Sequence, residues 1–174
     1  NDSEKTFYRI SVKGNEIVGQ KIYTDESLSS FKEFKVIDNQ LLILSKDKKH
    51  IIHVNLSENN TKQELELNGA VTLFTVKNDV LYYAYDNQLG QFNLKNNEHS
   101  TIQLGDKSVD YAFSKDKLYV LNAFGSHLNN SILMEIDLSN MLVNDLVELK
   151  SNQNAIFTQM VDGDFLYVGQ IKTS

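Results

Sequence analysis

Asn78 to Asn97 reads NDVLYYAYDNQLGQFNLKNN. Asn78-Asp79 is turn chemistry, because Asn and Asp tolerate the left-handed backbone region that a tight hairpin turn needs. Val80 to Tyr85 is a continuous apolar and aromatic run, the pattern of a strand covered on both faces. Asp86-Asn87 turns the chain again. Gln88 to Leu94 alternates through Gly90, Phe92 and Leu94, a strand of period two. Lys95-Asn96-Asn97 closes the stretch with another turn, and versions of the whole pattern recur along the chain.

Upstream, Phe7 to Val12 and Glu16 to Ile22 form a hairpin around Lys13-Gly14-Asn15, followed by a polar connector from Tyr23 to Ser30. Phe31 to Ile37, Leu41 to Leu44, His50 to Leu56 and a weaker strand marked by Leu65 and Leu67 make one copy. Val71 to Val76 opens the copy that contains the quoted stretch, and Ile102 and Leu104 end it. A third copy runs from Val109 through Leu118 to Leu121 and Ile132 to Leu138, and ends at Val147 and Leu149. Ser139 to Leu146 inside it reads as a turn or two of helix or as an extended loop. Ile156 to Val161 and Phe165 to Val168, around Asp162-Gly163-Asp164, give a last hairpin.

Two registers fix the period. Ile10-Ser11-Val12, Val54-Asn55-Leu56, Phe92-Asn93-Leu94 and Ile136-Asp137-Leu138 are equivalent triplets, ending 44, 38 and 44 residues apart. Second strands start at Leu41, Leu81, Leu118 and Leu166, spaced 40, 37 and 48 residues. Four strands per period of this length are the pattern of propeller blades. The fold expected is all-β: a β-propeller-like array within a single domain, residues 1–174, with three complete four-stranded blades and two complementary half blades. If Phe165 to Val168 pairs with Phe7 to Val12, the halves complete a fourth blade and hide both sheet edges. The alternative is a fragment of a larger propeller, which would self-associate or need a partner to cover its edges.

Leu81-Tyr82-Tyr83 with Phe92-Asn93-Leu94 resembles the generic bacterial and receptor-type β-propeller repeats, which pair an L-Y-aromatic second strand with a third strand ending apolar-polar-Leu. Leu118-Tyr119-Val120 with Ile136-Asp137-Leu138, and Leu166-Tyr167-Val168, follow the same pattern. The resemblance spans nearly the whole chain and implies a fold, not an activity. The chain has no Trp, which departs from WD and quinone-type repeats, and no Gly-Gly pair, which departs from kelch repeats. The four-bladed hemopexin-like family would carry Trp and a closing Cys pair, and this chain lacks both residue types.

Composition narrows the function classes. The formal charge is −6 and Arg9 is the single arginine, so no basic stripe is available for nucleic acid. No apolar run approaches the roughly 20 residues that span a bilayer, so no transmembrane segment is expected. With no Cys there are neither disulfides nor thiolate metal sites. His50, His53, His99 and His127 show no ligand spacing; His50 and His53 read as solvent-exposed strand positions, and no metal or cofactor is expected. Asp162-Gly163-Asp164 lacks the downstream carboxylate of a calcium loop and reads as a hairpin turn. The Asn-X-Ser/Thr sequons at Asn55, Asn59 and Asn129 matter only in a eukaryotic source. Lys over Arg and many Asn suggest a low-GC bacterium, and the polar start NDSEKT reads either as a tail left once a leader or anchor is removed or as an arbitrary boundary of the stretch.

The candidate contact residues are Phe124, His127 and Asn129 in the loop Asn122 to Asn130, the longest insertion between a second and a third strand. The alternative for Phe124 is that it folds back against the neighbouring blade. Asp25, Glu26, Asp106 and Asp110 are candidate loop carboxylates, which a propeller would gather on one face. The function expected is a non-enzymatic, extracytoplasmic or cell-surface binding module of a bacterial protein, offering loops to a protein or glycan partner. The alternatives are a glycosidase- or lactonase-like hydrolase using those carboxylates at a central channel, and a fragment of a larger sensor or receptor ectodomain.

Overall fold

The structure is a computed structural model that describes residues 5–28, 30–57, 59–105, 108–124, 130–150, 155–162 and 165–172. Every regular element among them is a β-strand, and they fall into two compact units, Asn1–Ala70 and Val71–Ser174. The first unit holds β1 (Lys5–Lys13), β2 (Glu16–Asp25), β3 (Phe31–Ile37), β4 (Gln40–Ser45), β5 (His50–Asn55) and β6 (Thr61–Glu66). β1 and β2 form a hairpin, and β3-β4-β5-β6 form a four-stranded antiparallel sheet in chain order.

The second unit opens with the sheet built from β7 (Val71–Lys77), β8 (Val80–Tyr85), β9 (Gln88–Asn93) and β10 (His99–Gln103). A second sheet follows, made of β11 (Ser108–Ser114), β12 (Lys117–Phe124), β13 (Asn130–Asp137) and β14 (Leu142–Lys150). β15 (Ala155–Asp162) and β16 (Phe165–Lys172) form the last hairpin. The expected three complete sheets and two flanking hairpins are therefore present. Each terminal hairpin is a two-stranded sheet of its own, so the blade that would pair Phe165 to Val168 with Phe7 to Val12 is not one of the described sheets.

The repeated triplet has a physical basis. Asp38-Asn39 and Asn78-Asp79 turn between the first two strands of their sheets with φ of 47° and 62°, and 49° and 60°. Positive φ at both central residues matches a type I′ hairpin turn to the twist of the strands it joins. The leucine that ends each triplet then bonds back to that turn: the Leu56, Leu94 and Leu138 amides donate to the Asn39, Asp79 and Asp116 carbonyls at 2.9, 2.8 and 2.8 Å. The polar residue before each leucine caps the next turn. Oδ1 of Asn55, Asn93 and Asp137 accepts the amide of Ser57, Lys95 and Ser139, respectively.

Each unit has its own core. In the first, Phe7, Tyr23, Leu28, Leu41, Ile43 and Val54 pack together. In the second, Tyr82, Leu89, Leu104, Leu118, Val120, Ile136 and Leu138 do so, and the Tyr82 hydroxyl donates to the Leu138 carbonyl at 2.8 Å. Full burial of one such side chain contributes roughly 1.5–3 kcal/mol.

Three local expectations change. β2 continues to Asp25, so Tyr23 to Ser30 is not wholly a polar connector: Tyr23, Asp25 and Leu28 are buried. β12 reaches Phe124 and β13 begins at Asn130, because Ala123 and Phe124 pair with Ser131 and Asn130; the insertion shrinks to residues 125–129. Ser139 to Leu146 is neither helix nor loop throughout. A turn with Met141 at φ 58° leads into β14, whose antiparallel pairing with β13 keeps it extended.

Candidate functional site

The best-organised polar cluster lies in the first unit, where the end of β2 crosses one face of the sheet β3–β6. The register places Leu41 opposite Val54, Ile43 opposite Ile52, Ile52 opposite Glu64 and Val54 opposite Lys62, all on that face. Phe7 anchors the hairpin there, with ring centroids 5.6 Å from Phe31 and 5.0 Å, edge-on, from Phe34. Asp25 is thereby carried over the outer strand, β6.

Four donors converge on the Asp25 carboxylate. The Lys62 ammonium and the Tyr23 hydroxyl reach Oδ2 at 2.8 and 3.1 Å, and the Ser27 amide and hydroxyl reach Oδ1 at 2.8 and 2.5 Å. Lys62 also donates to the Ser27 hydroxyl oxygen at 3.1 Å. Burial pushes the Asp25 carboxyl up, but the Lys62 hydrogen bond, with those from Ser27 and Tyr23, outweighs it and holds the group at about 2. Tyr23 is pushed up to about 12, first by burial and then by the charge and hydrogen bond of Asp25. Asp25 is therefore a structural anion, ionised at any ordinary pH and with its lone pairs committed.

Beside this clamp opens a cleft of about 170 Å³. Leu28, Ile43 and Ile52 make its apolar floor; Ser27, Ser45, His50, Lys62 and Glu64 supply its polar wall. A second small network sets the position of His50. The Asp47 carboxylate accepts the Ser45 hydroxyl at 2.5 Å and the Lys49 amide at 2.9 Å, and lies 3.3 Å from His50 Nδ1. The Ser45 hydroxyl oxygen accepts the His50 amide at 3.0 Å. Asp47 is held at about 2, mainly by the Ser45 hydroxyl, then by the Lys49 amide and His50. The Ser45 hydroxyl donates to Asp47 rather than to His50, so these three residues do not form a nucleophile–base pair. They form a fixed rim that presents one imidazole to the cleft.

The candidates named from sequence separate on this structure. Asp25 ends a strand and is buried, not a loop carboxylate, and Glu26 beside it is exposed. Asp110 lies in β11 of the second unit, also on a strand, next to a register shift; its carboxylate accepts the Tyr111 amide at 2.9 Å. Asp106, His127 and Asn129 lie outside the described residues; the backbone of Phe124 ends β12. His53, expected at the surface, is buried, because β5 is covered on both faces. His50 is the histidine that meets the cleft. Sequence reasoning missed Ser45, Lys62 and Glu64; the one available signal was the close spacing of Ser45, Asp47 and His50 in a charged loop. Among the described residues no group of three His, Cys, Asp or Glu side chains is placed to hold a metal, and no helix is long and apolar enough to cross a membrane.

No protein-family model matches the chain, and no curated protein matches it in sequence. Solved structures do match in fold. Apo AztD from Citrobacter koseri is similar at 16% identity and a TM-score of 0.54, over 83% of this chain and 42% of that one. The extracellular domain of BT4673 from B. thetaiotaomicron is similar at 17% identity and a TM-score of 0.56, over 84% of this chain and 21% of that one. Kluyveromyces lactis Hsv2 is similar at 12% identity and a TM-score of 0.58, over 92% of this chain and 54% of that one. The chain thus spans less than half the length of the first two. With its antiparallel four-stranded sheets, it is an all-β, propeller-like array.

Proposed function

We propose that this chain is a non-enzymatic, extracytoplasmic binding module, and that the cleft between Leu28 and Glu64 takes one sugar unit of a glycan. The observation that carries this reading is the make-up of the cleft: an apolar floor faced by held hydroxyl, imidazole and ammonium groups and by the exposed Glu64 carboxylate. A pyranose has the same division, with C–H faces and a belt of hydroxyls that both donate and accept. The volume, about 170 Å³, is below the roughly 300 Å³ of a pocket for a drug-sized ligand, so it suits a single ring. The Asp25 and Asp47 networks hold the wall in place before any ligand arrives, which reduces the ordering cost of binding. Similarity to an extracellular sensor domain supports the location.

The test is saturation-transfer NMR and calorimetry with a panel of neutral mono- and disaccharides. Binding that is lost in His50→Ala and Glu64→Ala, with melting unchanged, is the expected result. A panel that gives no transfer to the wild-type chain, or binding that both variants retain, defeats the proposal.

A further inference from the structure

Each complete sheet repeats one inner pairing. Its third strand, β5, β9 or β13, is hydrogen-bonded to the second strand on one side and to the fourth on the other. The register is shared: Leu41 stands opposite Val54, Leu81 opposite Phe92 and Leu118 opposite Ile136. The leucine starts the second strand's apolar run, and its partner starts the apolar-polar-apolar triplet of the third.

The terminal hairpins are the two halves of this unit. β1 carries the triplet Ile10-Ser11-Val12, so β1 and β2 correspond to a third and a fourth strand. β16 carries Leu166-Tyr167-Val168, so β15 and β16 correspond to a first and a second. Among the described strands, β1 pairs with β2 alone and β16 with β15 alone. Exposure shows what each half lacks. Val54 and Ile136 are fully buried, whereas Ile10 at the same register is 60% exposed. Leu42 and Tyr82 are buried, whereas Tyr167 at their register is 51% exposed. An open strand edge takes an added strand, with main-chain hydrogen bonds supplying affinity and alternate side chains supplying register.

We infer that β16 of one copy of the chain adds to the open edge of β1 of a second copy, antiparallel and in the register of the complete sheets. Leu166 then lies opposite Ile10, Tyr167 opposite Arg9 and Val168 opposite Tyr8. The occupant is a second copy because the single chain keeps the two halves as separate sheets, and β16 is the one described second strand without a third beside it. The contact joins two different edges, so it is heterologous, and it removes both open edges at the seam.

The chain has no cysteine, so an introduced disulfide reads the register directly. Bonded and non-bonded pairs alternate along an antiparallel ladder. The Leu56 amide on the Asn39 carbonyl marks a bonded pair, so His53 and Leu42, three steps on, are a non-bonded one. Arg9 and Tyr167 take that position, where Cα atoms about 4.5 Å apart are within disulfide reach. Arg9→Cys and Tyr167→Cys, mixed in equal amounts under mild oxidation, are expected to give a disulfide-linked dimer on a non-reducing gel. Each alone is expected to give less than about a tenth as much. Ile10→Cys in place of Arg9→Cys puts the thiol on the opposite face and is expected to link at least about tenfold less. Sedimentation velocity of the wild type is expected to show association that grows with concentration. A wild type that stays monomeric, or a mixture that links no better than either variant alone, overturns the inference. So does a double variant, Arg9→Cys/Tyr167→Cys, that closes its bridge within one chain, which would assign β16 to its own β1. Equal linking through Ile10→Cys overturns the register.

Discussion

The sheets β3–β6 and β7–β10 share one register and fill it differently. Ile43 faces Ile52 across β4 and β5; at the same place in the next sheet Tyr83 faces Gly90. Lys62 stands opposite Val54 on β6, where β10 has His99 opposite Phe92. In the second sheet the fully buried Tyr83 ring lies across Gly90, stacks on Tyr85 and His99 at 5.4 and 6.0 Å, and brings its hydroxyl to His99. In the first sheet branched aliphatics end short of β6, and Lys62 turns to Asp25 instead. The same backbone thus carries a filled aromatic stack in one sheet and an open polar cleft in the other. A few side-chain volumes on a shared ladder decide whether this place is filled or open.

Replacing Gly90 with Ala attacks the filled sheet at its tightest point. A Cβ there would run into the Tyr83 ring, which is fully buried and has no space to retreat. A loss of about 3 kcal/mol is expected for overpacking of this kind, measured by urea unfolding. The same substitution at Gly14, where a Cβ meets nothing but φ is +63°, probes backbone strain without overpacking and separates the two effects.

Asp25→Asn attacks the clamp of the open sheet. The carboxyl lies near 3.8 in an unfolded chain and at about 2 here. A folded-state value below the unfolded one means that its stabilisation is complete above about pH 4 and lost as the pH falls toward 2. The size is about 2 kcal/mol, from the shift converted at 1.36 kcal/mol per unit. Melting temperatures of the wild type should fall over that window, while the Asn variant starts lower at neutral pH and falls less. Equal slopes for the two proteins would show that Asp25 is not the group responsible.

The gentlest change sharpens the comparison. Glu64→Thr gives the open sheet the residue that the filled sheet carries at the same register, Thr101 opposite Gly90. At an exposed position, stability should move by less than about 0.5 kcal/mol. Sugar binding, read by calorimetry, should weaken because one wall of the cleft loses its carboxylate. Unchanged affinity would leave Glu64 outside the site.

The repeat was legible because it is written in short-range chemistry. Asx pairs at the turns, and leucines at the ends of triplets, act within a few residues of their own position or across one ladder. The clamp was not legible, since Asp25 and Lys62 are far apart in the chain and meet only when β2 crosses the sheet. Asp25 was singled out, but as a loop acid. Its burial depends on where Phe7 and Tyr23 dock, which no local pattern records. His53 was read as exposed because alternation alone assumes one wet face, and β5 has none.

Local turn preferences and period-two alternation were enough to determine most strands and turns, their order and the blade-like repeat. They act on neighbouring residues, so order along the chain carries them. Only the tertiary structure decided which sheet stays open, which carboxylate becomes a fixed anion and which histidine meets the cleft. Those outcomes depend on the volumes and charges of side chains brought together from distant strands, and packing, unlike alternation, has no signature along the chain.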